Sequence, residues 1–370
     1  MLVHTRRSGR KPSHILVATG AVLALGLTAC GAGTSGSGST SGSGSGPTPA
    51  KIALVPGGPN VYFAPWEQSA KDAESQFGIS KVSYVVPPTQ TFETSVQITT
   101  LNSLASQGYN GMAVFPDGAT AMPTAYKRIA AQGVSIIDLA GCTKQPTPAL
   151  FCLATDVEAA AEAQTKLVIE KMGGKGNIVF LAGQPTDANT VQRQNGVEKA
   201  IAATHGAVKL LQVVSNIDSP SAATPAIQSL LASVASQIDG IVSTSYYPSV
   251  AGAEIWSKNP QYQRIVFSAA DSSPQVMSAI QSGAIYGTMF QNSSGQGIVA
   301  SYMLNKVIAD GCKVKANATW TKTALTDKLF DSGYKFVDKS NVKDFIDKPY
   351  GLPDVTKELL KKAPDYLTCP

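Results

Sequence analysis

Short apolar runs alternate along this chain with longer stretches in which apolar residues recur every three or four positions. The runs read as buried strands and the stretches as helices with one apolar face. Residues 51–55, KIALV, are such a run, 56–59 are turn chemistry, and from Pro65 the period becomes helical. Strand 81–86, helix 94–107 closed by Gly108, strand 111–115, helix 121–132 and strand 134–139 follow. A long helix over 154–172 stops at Gly173-Gly174. A second series then begins, with strands at 177–181, 209–214, 240–243, 264–269 and 285–290 and helices at 190–204, 221–236, 249–257 and 274–281. A helix over 295–309 precedes a more polar end, 311–370, with a candidate strand at 334–337 and an amphipathic stretch at 355–362 whose Lys357, Lys361 and Lys362 read as a solvated face. Alternating strand and helix predicts parallel sheets covered on both faces, and two consecutive series predict an α/β protein of two similar lobes. Ligands of such folds gather at the carboxyl ends of strands, and between lobes whose strand ends share a cleft.

The length of 370 residues, 43% of them apolar and 15% charged, suffices for two cores. The start of the chain does not fit either core. Arg6, Arg7, Arg10 and Lys11 precede an apolar stretch over 15–26, shorter than a spanning helix needs, and Leu27-Thr28-Ala29-Cys30 closes it. These four residues resemble the bacterial lipobox, which implies a signal peptide over 1–29, lipidation of Cys30 and attachment to a membrane. Residues 31–46 are Gly, Ala, Ser and Thr throughout, a composition that cannot bury a core, so 30–50 reads as a flexible tether. Removing residues 1–29 takes away four basic residues and no acid, and the net charge falls from +5 to +1. Nothing in that balance points to nucleic acid.

Beyond Cys30 the cysteines are Cys142, Cys152, Cys312 and Cys369, an even set suited to an oxidising compartment. Three pairings are open, and sequence separation favours Cys142 with Cys152 and Cys312 with Cys369. A zinc site is the competing use, but there is no C-x-x-C, and His205 is the one histidine after residue 29. Any nucleophile–histidine arrangement would have to use His205, which lies at the expected end of a helix, and no G-x-S-x-G elbow occurs. Ser332-Gly333-Tyr334-Lys335 fits S-x-x-K without its companion motifs, and Gly173-Gly174-Lys175-Gly176 is a helix stop without a phosphate-loop lysine. No metal, cofactor or catalytic residue is expected.

What remains are polar groups at the ends of expected strands. The loop Asn60-Val61-Tyr62-Phe63 offers an amide and two aromatics, or else a turn whose rings plug the edge of a lobe. Arg193 lies near a helix start, Asp271 directly follows a strand, and Gln291 closes one. A carboxylate and a guanidinium can each take two hydroxyls while aromatics cover the apolar face of a sugar ring, which outlines a polyol site. Each residue has a plainer use as well. Asp271 can cap the helix that Ser272-Ser273-Pro274 opens, Arg193 can form a surface ion pair, and Gln291 can end a strand.

Three segments, Asn60-Val61-Tyr62-Phe63, Arg193-Gln194-Asn195-Gly196 and Asp271-Ser272-Ser273-Pro274 through Gly283 to Gln291, resemble the ribose-type sugar-binding proteins of bacterial ABC importers, over 51–345. The resemblance implies two Rossmann-like lobes joined by three crossovers, near Thr155, Asn292 and 325–332, and closing on a ligand by a hinge. Residues 51–155 with 292–328 would form one lobe and 156–291 with 329–370 the other. It implies that Tyr62 and Phe63 flank the ligand while Asn60, Arg193, Asp271 and Gln291 bind its polar rim. It further implies a monomer that binds a sugar or polyol without altering it and delivers it to an ABC permease and ATPase. Two departures enter the ligand set. Asp138 precedes Ala140-Gly141 where the family often has an aspartate, and Ser245 stands where it often has Asn or Asp. Both argue against ribose itself. Pro87-Pro88-Thr89 with Gln97 is more similar to the rhamnose and autoinducer branch. A sensing module for a membrane receptor and a protein binding a non-sugar solute are the alternatives. A sugar-responsive regulator is set aside because a signal peptide takes the place of DNA-binding helices.

Overall fold

The computed structural model describes residues 48–89, 91–346 and 353–370. The expected signal segment, Cys30 and the tether up to residue 47 lie outside the described residues. The chain runs β1 (Lys51–Val55), α1 (Pro65–Phe77), β2 (Lys81–Tyr84), α2 (Thr94–Ser106), β3 (Gly111–Val114), α3 (Met122–Ala130), β4 (Ser135–Leu139) and β5 (Cys152–Ala154). It continues with α4 (Val157–Lys171), β6 (Gly176–Leu181), α5 (Ala188–Ala202), β7 (Val208–Val214), α6 (Pro220–Val234), β8 (Gly240–Ser243), α7 (Tyr246–Lys258), β9 (Val266–Ala270), α8 (Pro274–Ser282) and β10 (Gly287–Gln291). The last part holds α9 (Ser293–Ile308), β11 (Lys313–Val314), β12 (Leu329–Asp331), β13 (Tyr334–Asp338), α10 (Val342–Ile346), α11 (Pro353–Lys362) and β14 (Leu367–Thr368).

Two sheets result, ordered β12-β5-β4-β3-β1-β2 and β13-β10-β9-β8-β6-β7. The first is parallel throughout, and the second is parallel apart from β13, which runs antiparallel to β10. Each strand feeds two cores because its side chains alternate between faces. Ile52 and Leu54 of β1 join Trp66, Met303 and Leu304 on one face, while Ala53 and Val55 join Leu101, Met112 and Tyr126 on the other. Likewise Val179 and Leu181 of β6 point to one core of the second lobe, and Ile178 and Phe180 to its other. This is why the strands read as unbroken apolar runs.

Helix ends follow local chemistry. Pro65 opens α1 and Gly78, at φ 62°, closes it. Asp156 caps α4 and Asp187 caps α5 through their side chains. Gly196 lies in the crossing of α4 and α5, and a Cβ there would stand 2.2 Å from the Glu158 carbonyl. The helices can approach this closely only because that position is glycine, and the approach brings Arg193, one turn earlier, beside the start of α4.

The lobes exchange chain three times: between β5 and α4, between β10 and α9, and between β12 and β13. The third crossing corrects the expected boundary. β12 pairs with β5 as the edge of the first sheet, and only β13 and α10 join the second lobe. The tail is corrected too. Leu359, Ala363 and Leu367 pack into the first lobe with α9, Tyr366 stacks on Phe330 at 4.2 Å, and β14 pairs with β11. Sequence period could not reveal this, because β5, β11, β12 and β14 have three residues or fewer. Both favoured disulfides are present, Cys142–Cys152 and Cys312–Cys369.

The second bridge closes a span of 57 residues and fastens the tail to the first lobe. Removing a bridge over so long a loop costs about 2–5 kcal/mol in most proteins. Replacing Cys312 and Cys369 together by Ser is expected to lower the urea midpoint and to expose β14 and α11 to limited proteolysis while the central sheets stay protected. An unchanged midpoint and cleavage pattern would show that packing of Tyr366 and Leu367 holds the tail without the bridge.

Candidate functional site

The carboxyl ends of both sheets face each other. After β1, Asn60 caps a single 3₁₀ turn, Val61–Phe63, by accepting from the Tyr62 amide at 2.9 Å. The turn buries Phe63 at 3% exposure against Trp66 and Phe115, with ring centroids 4.9 and 5.1 Å away. Phe63 thus braces the loop from beneath, and Tyr62 is the ring left half-buried above it. The Tyr62 hydroxyl donates to Gln296 Oε1 at 2.9 Å, and its carbonyl accepts from the Ser293 hydroxyl at 2.6 Å. Burial pushes the Tyr62 phenol well above its ordinary range, and the next largest influences on it are Asp271, which adds to the rise, and Arg193, which opposes it. The loop of the first lobe is therefore seated against charges of the second.

On the second lobe Asp271 follows β9 in a left-handed conformation, φ 62°. Its backbone is fixed from β10: its amide donates to the Met289 carbonyl at 3.0 Å, and its carbonyl accepts from the Thr288 hydroxyl at 2.7 Å. The carboxylate accepts from Gln291 Nε2 at 3.0 Å. Asp271 does not cap α8; Ser273 does, accepting from the Val276 amide at 3.1 Å. Burial raises the Asp271 carboxyl to about 6, opposed by the Arg193 guanidinium and the Gln291 amide, while the Asp218 charge adds to the rise. Arg193 and Gln291 line one pocket with Val157, Gln164, Thr244 and Met289. Gln164 fixes its floor, its amide donating to the Ser243 and Ala269 carbonyls at 3.1 and 2.8 Å. Arg193 has no hydrogen-bond partner among the described residues.

Ser245 caps no backbone group of α7; its hydroxyl donates to Asp218 Oδ1 at 2.6 Å. Burial raises the Asp218 carboxyl, and the Ser245 hydroxyl and Arg193 charge pull it back. Asp138 is different from the other expected ligand residues. It is 1% exposed, accepts from the Tyr126 hydroxyl at 3.1 Å, and accepts from the Thr143 amide and hydroxyl at 2.7 and 2.6 Å. Both its oxygens are taken up inside the first lobe, where they pin the loop that carries Cys142. Burial accordingly raises its carboxyl to about 7 against those bonds. Proximity in sequence to Ala140 suggested a ligand role, and the direction of the side chain gives it a structural one.

Several cleft residues were not singled out from sequence. Asp117 follows β3, its amide held by Gln97 Oε1 at 3.0 Å, and burial raises its carboxyl to about 6 with Asp187 of the facing lobe contributing. Asp117 Oδ2 and Thr244 Oγ1 are buried without a hydrogen-bond partner. Asn189 Nδ2 donates across the cleft to the Ala140 carbonyl at 3.0 Å. Asp117, Asp218 and Thr244 all sit just past a strand, so the rule that singled out Asp271 would have found them. His205 stays outside this group, exposed in the turn after α5.

Residues 52–312 match the periplasmic binding protein domain family. A xylitol-binding protein of Mycolicibacterium smegmatis is 24% identical over 347 residues, covering 94% of this chain and 93% of its own. Among solved structures, a solute-binding protein of an ABC transporter from Burkholderia graminis in complex with D-arabinose superposes with a TM-score of 0.69 at 20% identity, over 80% of this chain and 97% of that one. One from Actinobacillus succinogenes with bound D-allose gives 0.69 at 20% identity, over 80% and 100%. At that identity the superpositions establish a shared fold of two α/β lobes. Because the matched span takes in both sheets apart from their edge strands β12 and β13, the first two of the three crossings, and the strand ends around the cleft, the chain belongs to the periplasmic binding protein family.

Proposed function

We propose that this protein is the solute-binding component of an ABC importer and that it captures a small polyol, a monosaccharide or sugar alcohol, in the cleft between its lobes without chemistry on the ligand. The observation that carries the reading is that Arg193, Gln291 and the unpartnered Thr244 hydroxyl line one pocket, with Asp271 bonded to Gln291 and Tyr62 within reach of the Asp271 and Arg193 charges. A carboxylate, a guanidinium, an amide and a hydroxyl bind vicinal hydroxyls from several sides, and a tyrosine ring covers the C–H face between them. The xylitol-binding relative and the pentose- and hexose-bound neighbours support the same ligand class. Asn60 and Ser245 contribute at the edges, and Phe63 acts by holding Tyr62. No nucleophile–base pair is needed for capture and release. The periplasmic designation of the family supports export, and the lipobox-like Leu27-Thr28-Ala29-Cys30 supports a signal peptide over 1–29 and a lipid anchor at Cys30. Among the described residues no helix is long and apolar enough to cross a membrane. The protein acts as a monomer and presents its closed lobes to a permease driven by an ATPase.

Titration of the chain from residue 46 onward, a single compact unit, with pentitols, pentoses and hexoses tests the reading. At least one polyol is expected to bind in an isothermal calorimetry experiment. Arg193→Ala and Asp271→Ala each remove hydrogen bonds to a charged group, worth about 1.5–3 kcal/mol, and should weaken it roughly ten- to hundredfold. Binding by an amino acid or nucleoside with no response to any polyol would overturn the ligand class.

The Asp271 carboxyl, raised to about 6, sets a pH dependence. Ionised, it accepts from ligand hydroxyls, so polyol affinity should rise from pH 5 to pH 7 and then level off. Stability without ligand runs the other way. A carboxyl raised above its unfolded value favours the folded state below about pH 4, and that contribution is lost as pH climbs through about 6. Asp271→Asn should flatten both profiles, and an affinity profile that keeps its slope in this variant would place the titrating group elsewhere.

A further inference from the structure

Gln296 is fully buried in the first turn of α9, just past the crossing between β10 and α9. Its amide touches two partners that belong to different parts of the molecule. Oε1 accepts from the Tyr62 hydroxyl at 2.9 Å, and Nε2 donates to the Ser332 hydroxyl oxygen at 2.9 Å. Ser332 directly follows β12 and, with Gly333, forms the third crossing. Its oxygen lies 3.1 Å from Thr155 Oγ1, and Thr155 stands in the first crossing, between β5 and α4. Thr155 Oγ1 in turn is 3.1 Å from the Gly333 carbonyl, to which it donates.

The direction of every proton in this chain is determined. The Gly333 carbonyl can only accept, so it takes the single Thr155 proton, and the Ser332 hydroxyl must donate to Thr155. Ser332 is then free to accept from the Gln296 amide, whose oxygen takes the Tyr62 proton. Donors run in one sense from the cleft to the third crossing. Main-chain bonds fix the same junction. The Ser332 amide donates to the Ala154 carbonyl at 2.9 Å, and Asp331 Oδ1 accepts from the Asp156 and Gly333 amides at 3.1 and 2.9 Å. The backbone of Tyr62 is bound to the second crossing by Ser293, whose carbonyl also accepts from Trp66 Nε1 at 3.1 Å.

We propose that Gln296 is a positioning residue that couples Tyr62 to the hinge, so that the placement of the tyrosine over a solute and the angle of the crossings are set together. The proposal rests on the reading of Tyr62 as a ligand contact for its ligand-dependent part alone. Opening the lobes means rotating backbone at 154–156, 291–293 and 331–334, and two of these segments carry hydroxyls of the chain. A buried amide that loses either partner is left unsatisfied, so rotation about the hinge costs less when Tyr62 moves with it. Tyr62 thereby reports on the hinge, and a solute that holds Tyr62 in place favours the crossing geometry that goes with it.

The test uses the chain from residue 46 onward with dyes on unnatural residues at exposed Lys127 of the first lobe and Lys258 of the second. Energy transfer between them gives the open and closed fractions, and calorimetry with the polyol that binds best gives affinity. Gln296→Met, which keeps volume and removes both bonds, should shift the unliganded distribution and weaken binding roughly five- to thirtyfold. Ser332→Ala leaves the Tyr62 contact with Gln296 in place and should reproduce the shift in distribution, although it lies outside the cleft. Tyr62→Phe combined with Gln296→Met should be no worse than Gln296→Met alone. Wild-type distributions in both Gln296→Met and Ser332→Ala, or effects of Tyr62→Phe and Gln296→Met that multiply as independent losses, would overturn the coupling. If Gln296→Met fails to fold, Ser332→Ala, which removes one oxygen, decides by the same distribution. If no polyol binds the wild type, the reading of the site fails while the unliganded distributions still decide the coupling.

Discussion

A parallel strand buried on both faces has nowhere to put a polar side chain except at its ends, and the site follows from that constraint. Strands β1, β3, β9 and β10 are apolar or small along their lengths, and the polar residues of the cleft begin where each stops. Asn60 and Tyr62 follow β1, Asp117 follows β3, Asp218 follows β7, Thr244 and Ser245 follow β8, Asp271 follows β9, and Gln291 ends β10. Two sheets built this way and joined by three crossings leave their polar ends directed at one another. The cleft gathers carboxylates at the strand ends, and burial there raises Asp117, Asp218 and Asp271.

Acids outnumber bases around this cleft. Asp187 adds to the rise of Asp117 across it, Asp187 to that of Asp218 and Asp218 to that of Asp271 within the second lobe, and Arg193 offsets Asp218 and Asp271. Bringing the lobes together therefore works against the like charges of Asp117 and Asp187. Asn189 donating to the Ala140 carbonyl supplies a neutral attraction at the same interface. The Ala140 carbonyl is presented by a loop that Asp138, through Thr143, and the Cys142–Cys152 bridge hold from below. Asp138 contributes to the cleft without entering it.

The double α/β series, the main helices and strands and the pairing of the cysteines were legible in the sequence because each has a long or simple signature. Residues 51–55 read as a strand since Ile52 to Val55 are buried on both faces and so form an unbroken apolar run, and Pro65 and Pro274 mark helix starts, the first with the onset of helical period and the second after cap residues. The destination of the tail was not legible. α11 has the period of a surface helix whichever lobe it covers, and three-residue strands such as β12 carry no period at all. Tyr62, Arg193, Asp271 and Gln291 were singled out through strand-end placement and through the resemblance, and the structure brings Arg193 and Gln291 into one pocket with Asp271 bonded to Gln291. That Phe63 and Asp138 are buried among residues of the first lobe was not legible, because sequence gives the position of a residue along a loop or strand but not the side to which its chain turns. Gln296 left no sequence signal, since its partners Tyr62 and Ser332 are 234 and 36 residues away.

On the proposed reading, closure is governed from two ends. At the mouth, Asn189 and Ala140 meet while Asp117 and Asp187 resist, so the balance there depends on short-range geometry and on charge, and only the charge responds to salt. At the hinge, the chain from Tyr62 through Gln296, Ser332 and Thr155 is buried and neutral, so its balance depends on hydrogen-bond satisfaction and is insensitive to salt. On the proposed reading, a solute bound between the two would touch both, by separating or satisfying the carboxylates and by fixing the tyrosine. The two ends then give the lobes a common closed geometry that neither dictates alone, because the mouth sets how near the strand ends come and the hinge sets the angle at which they arrive.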